Sequence, residues 1–325
     1  MPCTTRTREC VIAYDGFNQV WPPGNDFDNG GNAAGSHITR WPYLNKAVIS
    51  NNTFSRPGGT RHAIKLHAPY WNAVRNNAIF DPIATKPRID PNNPSNFSEF
   101  ANGDGYSKHI VISDNKLTDS TTSTWPVAIA PQNEMNDERI KDVIVERNWW
   151  VATPGTQISL YLSASEVTAR NNIFNLSNGS NSQTAILVTK RGIVPPSDQV
   201  NIFNNTIYTS STVPQGQFMG IHLDTSATNI SVKNNLAYAP NAGSPVMIRN
   251  NCGACLTEAA NSTNLQVKNN APGWATATPL PTSLPAEFKL TVSSVYAFTS
   301  GVGVTVYSDF FLVSRTAKYL GAVQQ

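Results

Sequence analysis

Apolar residues in this chain alternate over short stretches; they do not recur every three or four positions. HIVISDNKL (109–117), EVTARNNIF (166–174) and QVNIFNNTI (199–207) each place Ile, Val or Ala at every second position ahead of an Asn. This is the periodicity of strands with one buried face. The same nonapeptide recurs as KAVISNNTF (46–54), WNAVRNNAI (71–79), DVIVERNWW (142–150), NISVKNNLA (229–237) and NLQVKNNAP (264–272). Its seventh position is always Asn: Asn52, Asn77, Asn115, Asn148, Asn172, Asn205, Asn235 and Asn270. The intervals are 25, 38, 33, 24, 33, 30 and 35 residues, so a coil of about 24 residues carries loops of variable length. A second apolar run precedes most units: AIKL, VAIA, ISLYL, AILV, GIHL and PVMI. Each coil therefore holds at least two short strands joined by turns rich in Asn, Gly, Ser and Pro.

Units of this size cannot fold singly. Stacked, each strand hydrogen-bonds to its equivalent one coil away, roughly 4.8 Å along the axis. Asn suits the turns because it tolerates left-handed backbone angles, and identical Asn residues in successive coils can pass hydrogen bonds along a ladder. A propeller needs about four antiparallel strands in 40 to 45 residues, more than these coils hold. The expected fold is all-β, a right-handed parallel β-helix of about eight or more coils. It spans residues 37–272, with 1–36 as an irregular cap or first coil and 273–325 packing on the helix end.

The repeats resemble the right-handed parallel β-helix superfamily of pectate-lyase-like and alginate-lyase-like enzymes. The ending TVYSDFFLVSRTAKYLGAVQQ is similar to the DF-G-x-x-R…GA ending of many exported bacterial β-helix proteins, through Asp309, Phe310, Arg315, Gly321 and Ala322. Leu312 stands where that pattern has Gly. RHAIKLHAP, IAPQNE and DERIKDVIVERN resemble an uncharacterised bacterial branch of the superfamily. The resemblance implies a carbohydrate-active, secreted or periplasmic protein.

Composition narrows the function. Only 14% of the 325 residues are charged and the net charge is +3, which gives no case for nucleic acid. No apolar run reaches the roughly 18 residues of a membrane span. MPCTTRTREC lacks the apolar core of a signal peptide. Both cysteine pairs, Cys3 with Cys10 and Cys252 with Cys255, are close in sequence and lack the further ligands of a zinc site. Stacked repeats with capped ends suffice as monomers, so a monomer is expected.

One short segment, RHAIKLHA, stands out in a chain with five histidines. If Ile64 and Leu66 face the interior, Arg61, Lys65 and His67 face outward together, with His62 on the inner side. Three neighbouring cations repel unless an anion joins them. Nearby coils offer Arg40 and Trp41, then Tyr106, then Gln132, Asn133 and Glu134, and finally Tyr161. Rings, amides and guanidinium groups on one face suit a sugar polymer. His222 and Asp224 form a second outward cluster, about 24 Å away over five coils of ~4.8 Å.

A polysaccharide lyase removes the proton beside a uronate carboxylate and expels the glycosidic oxygen. It needs a base, a carboxylate clamp and a proton donor. Lys65 takes the first role, Arg61 the second, and His67 or Tyr161 the third. The residues name no certain cofactor, and Ca2+ is the candidate. Calcium, used by family enzymes, would find oxygen ligands only in the Glu134 segment or around Asp104. The alternatives are a glycoside hydrolase, which needs two carboxyl groups, and a non-catalytic polysaccharide-binding or adhesion β-helix.

Overall fold

A computed structural model describes residues 10–19, 39–42, 47–54, 64–67, 70–75, 78–79, 83–85, 106–118, 127–130 and, with short gaps, 139–323, with side chains from residue 108 onward. The strands stack in parallel as a right-handed solenoid. Each coil contributes three strands, one to each of three faces. The coil starting at Arg139–Glu146 continues through Trp149–Val151 to Ile158–Leu162. The next three coils start at Ser165–Arg170, Asp198–Phe203 and Thr228–Lys233. Among the described residues these make four turns with nearly every intervening residue described, where the repeat leads one to expect eight or more coils. Before residue 139 the faces continue as strands without all the intervening turns described. The N-terminal segment, expected to be an irregular cap or first coil, contains the strand Cys10–Gln19, which pairs in parallel with Ala47–Phe54.

Every nonapeptide in this region spans two faces: its alternating half forms the first face, and the residues after the Asn form the second. The second apolar runs form the third face, an eight-stranded sheet that includes Ile64–His67, Val127–Ile129, Ile158–Leu162, Gln183–Val188, Phe218–Leu223 and Val246–Asn250. Val143, Val145, Val167, Ala169, Val200 and Ile202 of the first face meet Leu160, Ile186 and Ile221 of the third in one core. Trp150 and Phe174 stack inside it at 4.4 Å between centroids.

The corner between the first and second faces is held by a ladder of amides. Asn115 donates its backbone N–H and side-chain amide to Asn148 Oδ1, at 3.1 and 2.9 Å. Asn148 does the same to Asn172, Asn172 to Asn205, Asn205 to Asn235, and Asn235 to Asn261. The amides of Asn148, Asn172, Asn205, Asn235 and Asn261 also donate to first-face carbonyls, as Asn172 does to Val145 O at 2.9 Å. The left-handed residue is the one before the ladder Asn, at Asp114, Arg147, Asn171, Asn204, Asn234 and Ala260. That turn at the sixth position directs the seventh side chain inward, where its amide replaces the partners the corner backbone lacks.

The ladder ends at Asn261, not at the expected Asn270. NLQVKN, which reads as an eighth strand unit, is the α-helix Asn264–Asn269. Thr263 Oγ1 accepts from the Gln266 N–H while Gln266 Oε1 accepts from the Thr263 N–H, the two arms of a capping box. Val267 is buried and its carbonyl accepts from Ala239 N–H at 2.8 Å; Met247 N–H donates to Asn264 Oδ1 at 2.7 Å. No coil follows to pair with a strand here. A helix satisfies its own backbone and covers the last coil, which a strand would leave with an open edge.

Beyond the helix the chain returns along the second face. Trp274, Phe288, Leu290, Leu320, Ala322 and Val323 pack there on Trp149, Ile173, Tyr208 and Leu236. Asp309 is buried, and its carboxylate accepts from the N–H groups of Phe311 and Val313. Arg315 donates to Ser308 O, Gly321 O and Ala322 O and to Asn171 Oδ1 of the solenoid. The terminal DF…R…GA residues therefore form a clasp across coils.

Candidate functional site

Strand register decides which side chains share a face. On the third face one continuous column reads Arg40, Lys65, Ala84, Ala128, Tyr161, Leu187, His222 and Arg249. The flanking positions Leu160, Leu162, Ile221 and Leu223 are completely buried in the core, so this column belongs to the outer surface. Four residues named from the sequence, Arg40, Lys65, Tyr161 and His222, thus fall in line. Arg249, which sequence reasoning passed over, completes the line one step beyond His222.

Other expected members are separated from it. Trp41 is the register partner of Leu66, one position along from the column of Arg40 and Lys65. Tyr106 lies in the strand Tyr106–Ser113 opposite Arg139, on the first face. His67 is the register partner of Pro42, two positions along from Lys65. Arg61, Gln132, Asn133 and Glu134 lie outside the described residues. Tyr161 stands where expected, but it is only 9% exposed and packs with Ala128, Ala130, Ile158 and Leu187. Its ring packs into the wall of the face.

The far end of the column is polar and partly open. His222 and Asp224 leave the same strand end two residues apart. Asn251 Nδ2 lies 3.1 Å from His222 Nε2, so a donating amide holds the ring proton on Nδ1. Arg249 donates to Gly216 O at 3.0 Å, its one hydrogen bond among the described residues. Thr189 Oγ1 and the Thr225 N–H each donate to the Asp224 carboxylate at 2.7 Å. Partial burial, aided by the Arg249 charge, holds the His222 pKa below the usual histidine range, against the opposing pull of Asp224. The Thr189 hydrogen bond leads the effects that hold Asp224 below the usual carboxylate range. Asp224 is therefore a fixed anion and a poor proton donor, which tells against a hydrolase acid here.

A second polar cluster, also missed from the sequence, lies on the first face. His109 Nδ1 is 2.5 Å from Asp142 Oδ2. Arg147 grips Asp114 through Nε and Nη2 at 2.6 and 2.9 Å, and Glu146 links Arg147 to Arg170. His109 and Asp142 are the first residues of successive nonapeptides, Asp114 and Arg147 the sixth, and Glu146 and Arg170 the fifth. Reading down the aligned repeats would have paired them.

Among the described residues no three His, Cys, Asp or Glu side chains gather to hold a metal ion. The Glu134 and Asp104 segments, named as oxygen donors for calcium, lie outside those residues. Cys252 and Cys255 are joined as a disulfide beside Asn251, so they hold no metal. Among the described residues no helix is long and apolar enough to cross a membrane. No protein-family model and no curated protein sequence matches the chain.

Proposed function

We propose that this protein is a secreted polysaccharide lyase of the pectate-lyase-like kind, acting on a uronate-containing polysaccharide by β-elimination at its third face. The supporting observation is the register column, which aligns Arg40 and Lys65 at one end with His222 and Arg249 at the other. Arg40 and Lys65 at one end and Arg249 at the other set cations at both ends of the column, which suits a polymer that carries carboxylates along its length. The second face is taken by the C-terminal segment, which leaves the first and third faces for a ligand.

Register adds a candidate beside Lys65. Arg61, the carboxylate clamp expected from the sequence, lies outside the described residues. Arg40, directly beside Lys65 in register, is a further carboxylate partner. The test is incubation with a panel of uronate polymers, reading the ultraviolet absorbance of the new carbon–carbon double bond. New reducing ends without that absorbance would mean hydrolysis. Binding without either product would mean an adhesion or binding role.

A further inference from the structure

We infer that proton abstraction takes place at the His222 end of the column, with Arg249 as the carboxylate clamp; this rests on the uronate reading above. A general base must be unprotonated at working pH. Lysine starts near pKa 10.4 and needs a shift of about three units to reach neutrality. Histidine starts near 6.5, and His222 is held lower still by partial burial and by Arg249. Its imidazole is neutral at neutral pH without further help.

The geometry fits the same step. Arg249 is the register neighbour of His222, roughly 4.8 Å away along the axis, close enough for both to meet one sugar. Its single hydrogen bond to Gly216 O leaves donors for a planar carboxylate. Asn251 is exposed and donates to Nε2, keeping the lone pair there and the proton on Nδ1. Asn251 is thus a positioning residue, and an incoming C–H replaces its N–H at Nε2. Asp224, fixed by Thr189 and Thr225, places a negative charge nearby that favours the imidazolium once formed.

The reaction then balances. Nε2 takes the proton from the carbon bearing the carboxylate. The freed electron pair forms the double bond to the adjacent carbon, and the bond from that carbon to the glycosidic oxygen breaks. The oxygen leaves with the pair and takes back the proton from the imidazolium, giving an alcohol end and an unsaturated uronate. Arg249 stabilises the carboxylate as it gains enolate character. Lys65 and Arg40 then serve as a docking position farther along the polymer.

The experiment is the same absorbance assay on wild type and on His222→Ala, His222→Gln, Arg249→Ala, Asn251→Ala and Lys65→Ala. We expect both His222 variants to lose about 100-fold or more in kcat, the usual worth of a general base. Added imidazole should restore part of the His222→Ala rate, which a purely structural role does not allow. Arg249→Ala should lower kcat and kcat/KM together. Asn251→Ala should displace the acidic limb of the pH profile, and Lys65→Ala should raise KM more than it lowers kcat. Active wild type with His222→Ala near full rate overturns the inference alone. Absence of unsaturated product from every uronate polymer overturns the lyase reading and the inference with it.

Discussion

At the scale of single residues, the ladder Asn side chains do more than fill a turn. Asn172 links the coils before and after it and also caps Val145 O. Asn172→Ala leaves several buried groups unpaired and should cost about 3 kcal/mol in urea or thermal unfolding. Asn261 ends the ladder, is half-buried and has no ladder partner beyond it, so Asn261→Ala should cost about 1 kcal/mol. Equal losses at the two sites would mean that the ladder does not act as a chain. His222 has its own signature. Its pKa lies below the usual histidine value, so the deprotonated, active form survives to more acidic pH than a free histidine allows. The wild-type kcat/KM should rise with pH and reach its plateau before neutrality, with Arg249 and Asp224 the charged groups facing the ring. A midpoint well above the ordinary histidine range would point back to Lys65.

At the scale of elements, one local motif overrides the repeat. NLQVKNN has the alternation and the Asn of a strand unit, yet Thr263 and Gln266 cap a helix. In a strand, Leu265 and Val267 would lie on the same side. In the helix Val267 is buried and Leu265 is 70% exposed. Thr263→Ala removes one arm of the capping box and should lower stability by about 1 kcal/mol, measured by thermal unfolding. Amide exchange near Val267 should speed up in the same variant, because Ala239 N–H bonds to the Val267 carbonyl in that turn. No change in either would assign the helix to packing alone.

At the scale of the whole molecule, the returning C-terminal segment ties distant coils together. Gly321 has φ +81, its N–H bonds to Asn234 O, and a Cβ there would meet Thr206 Oγ1 at 2.7 Å. Gly321→Ala should therefore cost about 2 kcal/mol or more, combining backbone strain with a clash in a packed interface. Arg315→Ala removes four hydrogen bonds, one of them to Asn171 in the solenoid, and should expose the segment to limited proteolysis while lowering Tm. A proteolysed segment with an unchanged Tm would show that the clasp is an appendage and not part of the folding unit.

The fold was largely legible in the sequence because its physics is local and repeated. Alternation before a fixed Asn specifies strand, corner and stacking partner for each coil without knowledge of the others. The six apolar runs read between the units all lie in the third face. The Asn-Asn or Asp-Asn pairs mark the corners, although the left-handed turn falls on the first member and not on the ladder Asn. The site was less legible, because a column across coils depends on register, and loops of variable length hide register from the linear chain. His222 and Arg249 are 27 residues apart in sequence, yet strand pairing makes them neighbours. The same pairing puts Trp41 in the neighbouring register column and Tyr106 on another face. The end of the solenoid was also a tertiary decision: with no following coil among the described residues, a capped helix is preferable to an open strand edge, and only stacked coils create the second face on which Trp274, Phe288, Leu290, Leu320, Ala322 and Val323 pack.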